Sequence, residues 1–189
     1  MEVTRFSEKR HIFISLAVVI AVSIPFAVPL FPFIISDVMY ASKETWFIQT
    51  PKASYFLYGG GFLLWLLAAI NIYYFNVSKT SVIAGLLIFI LSVIPITLGI
   101  YHYKELSDDG VSYSEIGAFE QKHYPWEQVT KIVYHLEKER GKRSLIEFRF
   151  SDGNMVGFLR DSEFSNDYYK LQEKISDHQI EYVSSKNSN

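Results

Sequence analysis

The sequence predicts a two-part fold: an N-terminal all-α bundle of three transmembrane helices, then a small antiparallel β domain capped by one α-helix. Three observations predict it. Charge is divided unevenly: residues 1–101 hold only six of the 18 Lys+Arg and four of the 20 Asp+Glu in the 189-residue chain. That front half contains three long stretches without a charged side chain, 12–35, 53–78 and 81–101. From residue 102 onward, short alternating apolar runs are separated by Asp-Gly turn signals.

The first helix is expected at about 12–35, the second at 54–76 and the third at 81–101. At 1.5 Å per residue, a helix of about 21–24 residues covers the roughly 30 Å hydrocarbon core of a bilayer. Apolar residues run all round each helix instead of forming one stripe, which suits lipid and not a soluble core. Tyrosines cluster at the stretch ends (Tyr55 and Tyr58, Tyr73 and Tyr74, Tyr101 and Tyr103), with Tyr40 and Trp46 in the first loop, where an amphipathic ring favours the interface. The first apolar stretch is too long for a cleaved signal peptide. Pro25, Pro29 and Pro32 interrupt its second half, which predicts a kink or early end; a re-entrant segment is the alternative to a full crossing. Three crossings place the termini on opposite sides. The basic cluster Arg5, Lys9 and Arg10 favours an inner N-terminus and an outer tail, although Lys43, Lys52 and Lys104 nearly balance the tally.

The β domain is expected over 104–183. Asp108-Asp109-Gly110 and Asp152-Gly153 read as tight turns. Ile146, Phe148 and Phe150 alternate with Glu147 and Arg149, and Val156 and Phe158 continue the apolar face beyond the second turn. Upstream, Ile132, Tyr134 and Leu136 alternate with Lys131, Val133 and His135. Phe164, Tyr168, Leu171 and Ile175 then mark one helical stripe, with Ser165 as its expected N-cap and Phe164 and Tyr169 as a hydrophobic staple. Residues 184–189 are small and polar and read as a disordered tail.

The segments LSDDGVSYSEIG, YPWEQVTKI and FRFSDGNMVGFL, followed by a helix, resemble bacterial PH-like domains. The element Pro125, Trp126, Val129 and Ile132 carries the resemblance, which covers roughly residues 102–183. It implies a strongly bent, seven-stranded antiparallel β-sandwich or barrel capped by the C-terminal helix. It also implies a small bacterial membrane protein as the setting, and little about chemistry.

Catalysis finds no footing in the residues. With no cysteine, a disulfide framework, a thiolate metal site and a cysteine nucleophile are excluded. A net charge of −2 argues against nucleic acid as a partner. The five histidines lack metal-ligand spacing, and no phosphate loop, dinucleotide fingerprint or nucleophile elbow appears. Gly59-Gly60-Gly61 lies in an apolar run and reads as close helix packing, and Asn71 as a bond to a neighbouring helix. The one basic concentration in the tail is Lys138, Arg140, Lys142 and Arg143, diluted by Glu137 and Glu139. It reads as a solvated hairpin tip, with contact to lipid headgroups or a partner as the functional alternative.

The expectation is therefore a non-enzymatic, multi-pass cell-membrane protein whose tail is an interaction or regulatory module. Its partners are the lipid bilayer and an unidentified protein, with homo-oligomerisation open, and it needs no cofactor. The competing classes are a protective immunity protein against a membrane-active peptide and a transporter or channel component.

Overall fold

The computed structural model describes residues 2–40, 42–136 and 144–186. The chain divides into two compact units.

The helical unit comprises residues 1–39, 50–102 and 116–119. Its helices are α1 (Glu2–Ile35), α2 (Lys52–Tyr74) and α3 (Lys79–Tyr101), each long and apolar enough to cross a membrane. Helix α1 continues through Pro25, Pro29 and Pro32 and passes into a π-helical turn at Ser36–Tyr40, so the expected early end does not occur. Ser78 caps α3 by accepting from the Ser81 N–H at 3.2 Å.

The three helices run antiparallel to their neighbours. Near one end the Arg10 guanidinium lies 4.5 Å from the centre of the Tyr73 ring; near the other, Phe31 meets Tyr58 and Phe62 edge-on. Small residues line both sides of the α2–α3 contact at seven-residue intervals: Ser54, Gly61 and Ala68 on α2, Gly85, Ser92 and Gly99 on α3, all buried. A Cβ added at Gly61 would fall 2.4 Å from the Ile96 side chain, one at Gly85 would fall 2.7 Å from Ile72, and one at Gly99 would fall 2.8 Å from Tyr58. Lipid supplies no hydrophobic drive for helices to associate, so backbones that approach this closely gain their contact from packing. A seven-residue seam keeps that contact aligned along the length of both helices. Polar groups of α2 and α3 bond in the same seam. Trp65 Nε1 donates to Ser92 Oγ at 2.6 Å, Asn71 Nδ2 to the Ser81 carbonyl at 2.9 Å, and Ser54 Oγ to the His102 carbonyl at 2.8 Å.

The β unit comprises residues 40–49, 103–115 and 120–189. One sheet has the order β1 (Thr45–Gln49), β2 (Lys104–Ser107), β3 (Gly110–Tyr113), β4 (Lys122–Pro125), all antiparallel. The other has β7 (Met155–Leu159), β6 (Leu145–Phe150), β5 (Val129–Leu136), β8 (Glu181–Lys186), with β8 parallel to β5. The Asp-Gly signals do turn β2 into β3 and β6 into β7, and Gly110 is required by close approach: an added Cβ would sit 2.2 Å from the Tyr124 carbonyl oxygen. The core gathers Phe47, Leu106, Val111, Trp126, Ile132, Ile146, Phe148, Phe158, Phe164 and Leu171. The Pro-Trp element is the corner between the sheets. Pro125 leads into a 3-10 turn at Trp126–Gln128, Trp126 is buried and its Nε1 donates to the Ser107 carbonyl at 3.1 Å, and Val129 and Ile132 enter the core from β5.

Four expectations are corrected. Residues 40–49, assigned to the membrane region, belong to the β unit, where β1 pairs with β2; Trp46 and Tyr103 are therefore buried there instead of marking an interface. The strands number eight among the described residues and not seven; β1, from the loop between the first two helices, and β8, after the last helix, join the six of β2–β7. Residues 184–186, read as the start of a disordered tail, complete β8 and cover β5, burying Val133 beside Val183. The last helix is two: Asp161, not Ser165, caps α4 (Ser162–Asn166) by accepting from the Phe164 N–H at 2.8 Å, and α5 (Tyr168–Asp177) begins after a break at Asp167. The apolar stripe survives the break, since Phe164 and Leu171 are fully buried with Tyr168 and Ile175 against the core.

Candidate interaction surface

In the sequence, the basic residues offered as a contact surface lie between β5 and β6. Lys138, Arg140, Lys142 and Arg143 lie outside the described residues, but the frame they spring from is described. His135 of β5 pairs with Leu145 of β6, and Leu136 pairs with Lys186 at the end of β8. The Ser144 carbonyl accepts the Arg160 N–H at 2.8 Å, so the residue that leaves β7 is held at this same end of the sheet.

Arg160 is the functional candidate that the sequence reading missed. Its Nη1 donates to the Tyr134 hydroxyl at 3.0 Å, and its guanidinium carbon lies 5.5 Å from the Tyr134 ring centre and 4.8 Å from that of Tyr168. The Tyr168 and Tyr182 hydroxyls are 3.0 Å apart and continue the cluster onto β8. Among the described residues no carboxylate pairs with Arg160. Its charge rests on ring faces and a phenol oxygen, the arrangement of a cation–π contact.

The electrostatics follow from this packing. The Ser144 hydrogen bond, then Arg160, hold the Tyr134 hydroxyl below its ordinary range. Burial first, then the Tyr168 hydroxyl, push Tyr182 above it. Elsewhere in the sheet, Glu147 is occupied by Arg149 at 2.7 Å and faces His135 at 3.4 Å, and at the opposite end of the β5–β8 ladder Lys131 pairs with Glu181 at 2.7 Å. Among the described residues, this end of the sheet thus presents Arg160 as a cation that no carboxylate pairs. A guanidinium held in this way suits an anionic group, and His135 with Glu147, 3.4 Å apart, forms an imidazole–carboxylate pair on β5 and β6. Nothing in the sequence singles Arg160 out, because Tyr134 and Tyr168 come from separate elements.

No family model matches the sequence, and no curated protein matches it. Among solved structures, that of the Spt16D Pob3N heterodimer is similar over 46% of this chain and 46% of that chain, at 9% identity and a TM-score of 0.32. This chain therefore spans less than half of that chain's length. The molecule's own elements define its class. Three helices long and apolar enough to cross a membrane are joined to a two-sheet β unit with helices near its C-terminal end.

Proposed function

We propose that the chain is an integral membrane protein of three crossings that presents a non-catalytic, PH-like interaction module at one membrane face. The observation that supports it most is the pairing of β1 with β2. One strand lies between the first two helices and the other follows the third. Helices α2 and α3, crossing in succession, return the chain to one side, as that pairing requires; the third crossing is supported by α1 lying along the length of α2, with Arg10 against Tyr73 near one end and Phe31 against Tyr58 near the other.

The side is proposed from charge. Arg5, Lys9, Arg10 and Lys79 flank the helix ends remote from the β-unit connections, and charges within a folded domain count little in orientation. The N-terminus is then inside and the β unit outside. A solute path gains no support, since Trp65, Asn71, Ser54 and Ser92 bond within the helix seam.

Reporter fusions test this reading. Alkaline phosphatase fused after Asn189 should be active and a fluorescent protein there dark, with the reverse at the N-terminus. Two fusions reporting the same side would overturn three crossings.

A further inference from the structure

We infer that the loop between β3 and β4, residues 114–121, is a lipid anchor: Ile116 and Phe119 enter the interfacial layer of the bilayer beside the end of α3. The inference rests on the three-crossing reading and names a second membrane contact for it.

Four observations carry it. Ile116 and Phe119 are 63% and 62% exposed, as open as Ile83 and Leu87 on α3 at 61% each. Residues 116–119 group with the helical unit although the strands that hold them belong to the β unit. Phe119 packs edge-on against Tyr101, the last residue of α3, with ring centres 5.8 Å apart. Exposed Val38 and Met39, in the π-helical turn after α1, and Phe56, in the first turns of α2, extend the apolar fringe at this end of the helices. Gly117 makes the loop's turn: its φ of +82° is one that a side chain strains to adopt.

Charge selects the occupant. Glu115 is paired with Lys122 at 2.7 Å, and Glu120 leaves the loop net negative. Attraction to anionic headgroups therefore plays no part. Apolar side chains flanked by polar residues, next to a tyrosine at a span end, match the acyl–glycerol boundary where aromatic belts lie.

The absence of cysteine gives a clean background for the test. Ile116→Cys and Phe119→Cys are each labelled with an environment-sensitive fluorophore in the full chain and reconstituted into phosphatidylcholine vesicles, with and without nitroxide lipid. Ile90→Cys, exposed at mid-helix in α3, is the bilayer reference, and Met155→Cys, exposed on β7, the aqueous one. Blue-shifted emission and quenching by lipid nitroxide at 116 and 119, absent at 155, are expected. Emission like that at 155, with 90 still quenched, overturns the anchor and leaves three crossings standing. A blue shift without lipid quenching also overturns it, because the loop is then covered by protein, such as a second copy. An unquenched label at 90 defeats the three-crossing reading first, and the anchor with it.

Discussion

Gln49 holds Leu159 by both of its backbone groups: the Leu159 N–H donates to Gln49 Oε1 and Gln49 Nε2 donates to the Leu159 carbonyl, each at 2.9 Å. β1 and β7 are the outer strands of different sheets. One carboxamide therefore does across the sandwich what a neighbouring strand would do, and an otherwise open edge is satisfied. Lys104 reinforces the seam, donating from Nζ to the Gly157 carbonyl at 2.6 Å.

Replacing Gln49 by Leu should accordingly cost about 1–3 kcal/mol, because two backbone groups lose their partner in a largely buried place. Gln49→Glu keeps the acceptor for the N–H but sets a carboxylate against the Leu159 carbonyl, so it should not rescue. Thermal unfolding of the full chain in detergent reads both. Unchanged midpoints would mean that the edge is closed without Gln49.

The glycine triplet of α2 should behave very unequally. A Cβ at Gly60 meets nothing within 4 Å, whereas one at Gly61 meets Ile96 at 2.4 Å. Gly60→Ala should be neutral or stabilise by up to about 1 kcal/mol through helix propensity. Gly61→Ala should cost about 1–3 kcal/mol as the α2–α3 seam is forced apart. Thermal midpoints in one detergent compare them, and equal effects at both positions would deny the seam.

How much of this was legible in the sequence depends on the range over which each signal acts. The helices show because their apolar residues need no partner to be recognised. The glycine triplet shows as close helix packing, but which of its glycines meets α3, and the part played by Gly85 and Gly99, do not, since a helix that is apolar all round hides which face is against protein. β6 and β7 show through strict alternation beside a local turn. β1 hides because Thr45–Gln49 is short, lies between two apolar stretches and finds its partner only after α3. β8 hides because its serines and lysine match a frayed end, and only the parallel pairing with β5 makes them a strand. The basic hairpin was visible as charge, while Arg160 required three separated elements to meet.

Alkaline pH should weaken the β unit. Burial, before any other cause, raises the hydroxyls of Tyr103, Tyr113 and Tyr182 above their ordinary 10.0. Above pH 10 the unfolded chain gives up these protons before the folded chain does, so stability present below that pH is lost as pH rises. Lys104 acts oppositely: burial lowers its pKa, so stability climbs between that lowered value and 10.5, where its contribution ends. Midpoints measured in steps from about pH 8 to about pH 11 should hold or rise first and fall past about 10.5. Tyr113→Phe should flatten the fall, and a midpoint still rising at the top of the range would contradict the sign.

Arg160 offers the last test, through a neighbour's titration. Its planar guanidinium spans two rings and bonds the Tyr134 hydroxyl, so lysine is a poor substitute: an ammonium cannot lie flat on both faces and donate in the same plane. Arg160→Lys should cost about 0.5–2 kcal/mol, and Arg160→Gln at least as much. The second readout separates charge from packing. Tyr134 is held low by Ser144 first and by Arg160 after it; removing the cation in Arg160→Gln should raise the Tyr134 titration, while Arg160→Lys should raise it less. Tyrosine ring signals followed by NMR across alkaline pH give the answer. Identical Tyr134 curves in all three proteins would mean that Ser144 alone sets the value and that Arg160 serves only as packing.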